Sequence, residues 1–334
     1  MLALRKPYLL FLGDITLPSD AKTGAGLRDW CRDDVMGEWA LPACTVSLGL
    51  PRLSPSDAVR AGAQSLVIGV ASVGGRIPDA WIPALVDAAS AGLDVVSGMH
   101  TRLSSIPPLV EAARAAGRRL VDVRASAREW PVGTGEKRPG RRVLTVGTDC
   151  ALGKKYTALA LTRALTTLGA PATFRATGQT GIMIAGDGVA LDAVVADFVA
   201  GAAECLSPAN APAHWDVIEG QGALFHPGYA GVTLGLIHGS QPDAIVLCHD
   251  PSRTTIEDLP HMPIPPLEVA IARYLDAARL TNPAVFCAGL SINSSSLGDH
   301  AWRAYQSELM TAHGVPVCDP MRGGIEAIAR RLLA

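Results

Sequence analysis

VLTVGTDCALGKKYTALALTRAL, residues 143–165, decides how the chain is read. An apolar, β-branched run stops at Gly147, a short loop follows, and Gly153-Lys154 opens an amphipathic helix. A strand that passes through a glycine-bounded loop into a helix start aims several backbone N–H groups, and the positive helix end, at one anion. Lys154 adds a mobile charge suited to phosphate oxygens. The plainer alternative is an ordinary βα turn with one exposed lysine. Strand and helix both stand where the anion mechanism needs them, which favours the phosphate cradle.

Two features depart from the common P-loop, which has four residues between its glycines and ends in Gly-Lys-Ser/Thr. Five residues (Thr148, Asp149, Cys150, Ala151, Leu152) separate Gly147 from Gly153, and Lys155 stands where a hydroxyl would hold Mg²⁺. Thr157, two residues further along a helix, points elsewhere. A second cation in place of a metal ligand predicts a phosphate group bound without metal.

Outward from this stretch, strand and helix signals alternate. In the second half, strands are expected at 142–147, 172–177, 215–219, 244–249, 284–290 and 315–319. Helices are expected near 154–168, 188–205, 266–279, 300–313 and 324–333. The segment 231–241 is a helix apolar on most faces, either core or a subunit contact. In the first half, strands at 65–72, 93–99 and 119–123 alternate with helices at 79–91 and 106–116. Such alternation implies right-handed βαβ units and parallel sheets. EWPVGTGEKRPGRR (129–142), rich in Gly, Pro and charge, reads as an interdomain linker. The fold expected is therefore α/β, two doubly wound parallel-sheet domains over 1–137 and 138–334, the second P-loop NTPase-like.

Composition supports this. At 334 residues two domains are the better prior, and 49% hydrophobic against 18% charged residues suits buried parallel strands rather than disorder. A net charge of −2 gives no basis for a nucleic-acid or membrane-surface partner. The seven cysteines show neither C-x-x-C nor metal-ligand spacing and read as reduced thiols. Tyr8 to Leu12 is too short for a signal-peptide core, and every apolar run is broken before it could span a bilayer. A cytoplasmic protein is expected, and a homo-oligomer on the base rate for this size.

Further candidates cluster at expected strand ends, where open α/β sheets bind ligands. In WDVIEGQGALFHPGYAG (215–231), Glu219 ends a strand and is a candidate general base or metal ligand, with Gln221 and His226 nearby. The bland alternative is a glycine turn with a capping Glu and a surface His. LCHDPSR (247–253) offers His249, Asp250, Ser252 and Arg253, the last with a fork suited to carboxylates. RATGQTG (175–181) offers Thr177, Gln179 and Thr180. In the first half, SGMHTRL (97–103) carries His100 and Arg102, and GDITLPSDAKTGAGL (13–27) places Asp20, Lys22 and Thr23 in a Gly-rich loop; Asp122 and Arg124 end a strand. None of these has a defining spacing, and each alone is more often structural.

Five blocks carry a resemblance that covers nearly the whole chain. They are GDITLPSDAKTGAGL, GVASVGG (69–75), GLDVVSGMHTRL (92–103), VGTDCALGKK (146–155) and the long run IEGQGALFHPGYAGVTLGLIHGSQPDAIVLCHDPSR (218–253). They resemble a family first described as a domain of unknown function, with a Rossmann-like first half and a P-loop-like second half. Its characterised members are bacterial D-glutamate N-acetyltransferases. The resemblance implies transfer of acetyl from acetyl-CoA to the amine of an acidic amino acid, with no metal. On that reading Gly147, Thr148, Asp149, Cys150, Gly153, Lys154, Lys155 and Tyr156 hold the acetyl-CoA. The base is Glu219 or His226, with Asp149 a third candidate. Arg102 or Arg253 binds the substrate carboxylate, helped by Gln179, Thr180, Gln221 and Ser252. The loop is also similar to the GTD…GK loop of dethiobiotin synthetases, so an ATP-dependent ligase or kinase acting on a small carboxylic acid is the alternative. Lys155 counts against it. A nucleotide- or CoA-sensing protein without turnover is a third possibility.

Overall fold

The computed structural model describes residues 4–125 and 128–334. The chain forms two compact units. In the first, a five-stranded sheet is built from β1 (Tyr8–Phe11), β2 (Val35–Trp39), β3 (Ser65–Ile68), β4 (Asp94–Ser97) and β5 (Leu120–Asp122). The order is β2-β1-β3-β4-β5 and every pairing is parallel. Helices α1 (Lys22–Trp30), α2 (Pro55–Arg60), α3 (Ile82–Ala91) and α4 (Pro107–Ala115) make the crossovers. The buried sequence YLLF of β1 is an inner strand, paired with β2 and β3, although its four residues give too short a run to announce it. The glycines expected to form a loop at 13–27 instead lie partly in α1. A Cβ on Gly24 would stand 2.7 Å from Leu48 Cδ1, and Gly24 N–H donates to Gly69 O at 2.8 Å, so glycine here permits close helix-to-strand approach.

The second unit is built on β6 (Arg141–Gly147), β7 (Ala172–Arg175), β8 (Trp215–Ile218), β9 (Ala244–His249), β12 (Phe286–Ile292) and β13 (Val317–Cys318). They form one parallel sheet in the order β13-β12-β9-β6-β8-β7. A small hairpin, β10 (Thr255–Ile256) and β11 (Leu259–Pro263), lies outside the sheet; Asp258 at its turn has φ 62°. The covering helices are α5 (Lys154–Thr167), α7 (Val199–Leu206), α8 (Ala230–Ser240), α9 (Leu267–Arg279), α10 (Asp299–His313) and α11 (Ile325–Leu333). The long helix expected near 188–205 is shorter: two single turns precede α7. Strand β6 is central, with β9 on one side and β8 on the other. The crevice at its carboxyl end is the switch point where such sheets bind ligands.

One element leaves its sequence neighbours. Residues Gln179–Ala190, which include α6 (Gln179–Ala185), belong to the first unit, whereas Arg128–Gly178 and Leu191–Ala334 form the second. The two ends of this excursion are tied within the second unit by Leu191 N–H donating to Thr177 O at 3.1 Å.

The stretch expected to be a linker is also fastened. Thr134 and Gly135 donate their N–H groups to the Glu204 carboxylate on α7, Lys137 reaches Asp243, and Arg138 reaches Ser207 O and Gly239 O. Polar composition predicted exposure, yet here those polar groups find specific partners on one unit. The second compact unit begins in sequence at Arg128.

Arg142 anchors this strap. Its side chain is fully buried and donates to the carbonyls of Arg138, Pro139, Gly140, Ser207 and Pro208. Removing it strands several carbonyls away from water, each costing about 1–3 kcal/mol. Arg142→Leu is expected to lower stability by roughly 3–5 kcal/mol in total, read as a reduced urea midpoint. A shift under about 1 kcal/mol would mean that water replaces the guanidinium.

Candidate active site

The phosphate-type loop runs from the end of β6 into α5. Thr148 N–H still pairs with Cys248 O, so the ladder extends one residue past the strand. Ala151 (φ 51°) and Gly153 (φ 96°) then take left-handed backbone, which turns the chain onto the helix start. A β-carbon at Gly153 would meet nothing, but its φ favours glycine. Lys154 is buried, and its Nζ donates to Asp149 O at 2.8 Å, curling back across the loop. Thr157 faces the sheet: its Oγ1 meets Ser291 Oγ at 2.7 Å and Cys248 Sγ at 3.4 Å, and it donates to the Gly153 carbonyl at 3.1 Å. Position 155 holds a lysine, stacked by its Nζ over the Tyr156 ring at 5.3 Å.

Asp149 braces the loop from within. Its side chain has no exposed surface; Oδ1 accepts from Cys150 N–H, and Oδ2 accepts from Arg253 and from Glu257 N–H, both at 2.8 Å. Arg253 also donates to Cys150 O and approaches Glu257 at 3.5 Å. The pair read as third candidate base and carboxylate clamp thus neutralises itself. Ser252 is turned inward in the same way, its hydroxyl and N–H both on Asp250 Oδ1. Cys150 stays a thiol, because burial pushes its pKa up to about 11.

Glu219 lies just past β8, on the other side of β6, and is 5% exposed. Its Oε2 accepts from Thr177 N–H at 3.0 Å and Gly178 N–H at 3.1 Å. No hydrogen-bond partner stands at Oε1 among the described residues. Burial pushes the carboxyl up from the ordinary range, against the lowering fields of Lys155, the two N–H bonds and Lys154. Gly220 makes this placement possible: a Cβ there would lie 1.7 Å from Thr145 O, while its N–H donates to Thr145 Oγ1. Gln221 packs beside Gly178, and its backbone carbonyl is held by Thr233.

His226 is less suited to a base. Its Nδ1 accepts from Gly228 N–H at 3.1 Å, so the neutral ring carries its hydrogen on Nε2 and offers a donor there. The ring lies against Tyr229 at 4.4 Å between centroids.

Arg102, Gln179 and Thr180 belong to the first unit. Arg102 is exposed; Gln179 Oε1 accepts from Arg124 at 2.9 Å; and the Thr180 hydroxyl bonds the buried Thr23 at 3.0 Å. The structure brings the loop, Glu219, Gln221, His226, Ser252 and Arg253 onto the second unit.

Tyr274 was not legible in advance. Buried on α9, its hydroxyl donates to Gly147 O at 2.7 Å and accepts from Leu224 N–H at 3.0 Å, joining the loop to the segment after Glu219. Its helix pattern marks it only as a core aromatic. The seven cysteines are free. Among the described residues, no three His, Cys, Asp or Glu side chains gather as metal ligands do, and no helix is long and apolar enough to cross a membrane.

Known proteins place this geometry in a family. Residues 131–329 match the family described as "Domain of unknown function (DUF1611_C) P-loop domain", and residues 34–126 match "Domain of unknown function (DUF1611_N) Rossmann-like domain". The chain is 47% identical over 331 residues to a protein of Tritonibacter scottomollicae named D-glutamate N-acetyltransferase, covering 99% of each. A Pseudoalteromonas protein of the same name is 44% identical, with 98% of this chain and 99% of that one covered. The crystal structure of a DUF1611 family protein from Anabaena variabilis superposes with a TM-score of 0.90 at 36% identity, covering 98% of this chain and 99% of that one. With both halves matched and relatives aligned end to end, the chain belongs to the DUF1611 family, two α/β domains of which the second is a P-loop domain.

Proposed function

We propose that this protein is an N-acetyltransferase that moves acetyl from acetyl-CoA to the α-amine of an acidic amino acid, D-glutamate as in the relatives' name. The observation that carries the chemical reading is Glu219: a buried carboxylate with one oxygen fixed by two N–H groups and the other unpartnered, beside a two-lysine phosphate loop. An amino acid arrives as an ammonium ion, and only the free amine attacks a thioester. Glu219 Oε1 takes that proton, and its raised basicity suits the task. The nitrogen lone pair then forms the amide bond while the C–S bond breaks, and the departing thiolate takes the second amine proton. One proton reaches solvent through Glu219.

Acetyl-CoA is a substrate here, and the residues fit its phosphates. The start of α5 presents backbone N–H groups, and Lys154 exchanges the neutral Asp149 carbonyl for a charged oxygen. The ATP-dependent alternative needs a hydroxyl for Mg²⁺ near the loop. Lys155 stands at that position and Thr157 faces Ser291, so nothing in the loop favours it.

Three measurements test this reading. Acetyl-CoA is expected to raise the melting temperature dose-dependently and more than Mg-ATP does; the reverse result returns the ligase. Lys154→Ala should raise KM for acetyl-CoA with kcat little changed, since contacts remote from the thioester supply uniform binding. An unaltered KM would remove the loop from the acetyl-CoA site.

Glu219→Gln keeps the shape and removes the base, so kcat should fall roughly 10²–10⁴-fold with D-glutamate and acetyl-CoA, followed as free thiol. In the wild type, kcat/KM should rise with pH through a limb above the ordinary carboxylate range, and the variant should lack it. Stability moves the other way. Because the folded pKa lies above the unfolded one, the folded state binds more protons between them, and stability falls as pH rises through that window. Glu219→Gln should therefore be at least as stable as the wild type at neutral pH. A variant that loses stability and keeps kcat would make Glu219 structural.

A further inference from the structure

On the opposite side of β6 from Glu219, β9 ends at His249. The side chain is 8% exposed, and its Nδ1 lies 2.9 Å from Thr148 Oγ1 in the phosphate loop. Thr148 is fully buried, and among the described residues this ring nitrogen is its hydroxyl's partner. A hydroxyl cut off from water must give its hydrogen to an acceptor, because an orphaned donor costs about 1–3 kcal/mol. If the imidazole donated from Nδ1, the hydrogen of Thr148 would be stranded. The hydroxyl therefore donates to Nδ1, and the ring keeps its own hydrogen on Nε2.

Protonating the ring would force Nδ1 to donate and break this bond. Burial pushes the His249 pKa down, to about 4 with the opposing field of Asp250 included, and the Asp250 carboxylate is engaged by Ser252 and Asn293. The ring is thus a neutral donor at working pH. Nε2 has no partner among the described residues and is not one of the fully buried atoms, so its N–H opens outward and is placed to meet a ligand oxygen.

We propose that His249 Nε2–H is the donor that receives the negative charge developing on the thioester oxygen, and that Thr148 is the positioning residue that fixes its tautomer. This role rests on the acetyltransferase reading. As the amine lone pair bonds to the carbonyl carbon, the C=O π pair moves onto oxygen. Nε2–H donates to that oxygen without giving up its proton, and the pair returns as the C–S bond breaks. A fixed neutral dipole suits a charge that exists only in transit. It suits a standing phosphate less well: Lys154 and the start of α5 already serve one, and the adjacent Asp250 carboxylate opposes a second anion. The order β9-β6-β8 places β6 between them, and the register sets Glu219 level with Thr145 and His249 level with Thr148 of that strand, so about 14 Å separates them at the backbone. Base and oxyanion donor then flank the reacting carbon.

The test begins with the tautomer. Long-range ¹H–¹⁵N NMR on histidine-labelled wild-type protein should show the His249 Nε2–H form unchanged from pH 6 to 9; an Nδ1–H form overturns the assignment. His249→Phe keeps the ring volume and should lower kcat roughly 10²–10³-fold, the range for an oxyanion donor, with KM for acetyl-CoA within threefold. A raised KM at intact kcat would make His249 a binding contact and overturn the role. Thr148→Val, nearly isosteric, covers the case in which His249→Phe does not fold. It should admit the Nδ1–H tautomer and lower kcat about tenfold; retained Nε2–H with wild-type kcat removes Thr148 from the scheme. Wild-type protein that transfers no acetyl sinks the acetyltransferase reading and this role together, whereas an active enzyme with an Nδ1–H imidazole sinks this role alone.

Discussion

The geometry of the site depends on one buried carboxylate. Asp149 sits in the middle of the phosphate loop, where an unpaired charge would cost several kcal/mol and would repel the anion the loop is shaped to hold. Both problems are met by the same three donors: Cys150 N–H, the Arg253 guanidinium and Glu257 N–H. The negative charge is cancelled locally, so the field at the start of α5 remains positive. The loop is also tied to the residues that lead into the β10–β11 hairpin. A loop rich in left-handed backbone has little stability of its own, and this buried pair supplies the rigidity that its hydrogen-bonding pattern lacks.

The electrostatics on either side of β6 then diverge. Glu219 and His249 stand at the ends of the two strands that flank β6, both almost wholly buried, and burial moves each toward its neutral form: the carboxyl up, the imidazole down. For Glu219 the rise is opposed by Lys155, two N–H bonds and Lys154, and for His249 the fall is opposed by Asp250. Desolvation thus acts on both in opposite senses of basicity, the pairing that the proposed base and oxyanion donor require.

How much of this was legible follows from the range of each interaction. The strand, loop and helix at 141–167 are local, and hydrophobic periodicity with bounding glycines located them within a residue or two. Glu219 was legible because position at a strand end is also a local property. Strand β1 was missed because four buried residues carry no alternation. The return of Gln179–Ala190 to the first unit was invisible because helix α6 looks the same wherever it packs. Arg253 was read as a free cation because its partner lies 104 residues away, at Asp149. Tyr274 escaped for the same reason, with its two partners fixed only by the packing of α9. Residue type and spacing report chemistry that a segment makes with itself; they are silent on which long-range partner consumes it.

That distinction also orders the candidates for the base. Sequence offered Glu219 or His226 as the base, with Asp149 as a third candidate, each a titratable group near a glycine turn. The folded chain ranks them by what remains unoccupied. Asp149 has both oxygens engaged, and His226 has its Nδ1 lone pair engaged by Gly228 N–H, which leaves only a donor on the ring. Glu219 alone of the three has one oxygen held and the other without a hydrogen-bond partner among the described residues. A general base needs both properties at once. The fixed oxygen sets the direction of the carboxylate, and a second lone pair must remain to take the proton. Rigidity without an open acceptor gives a brace, as at Asp149.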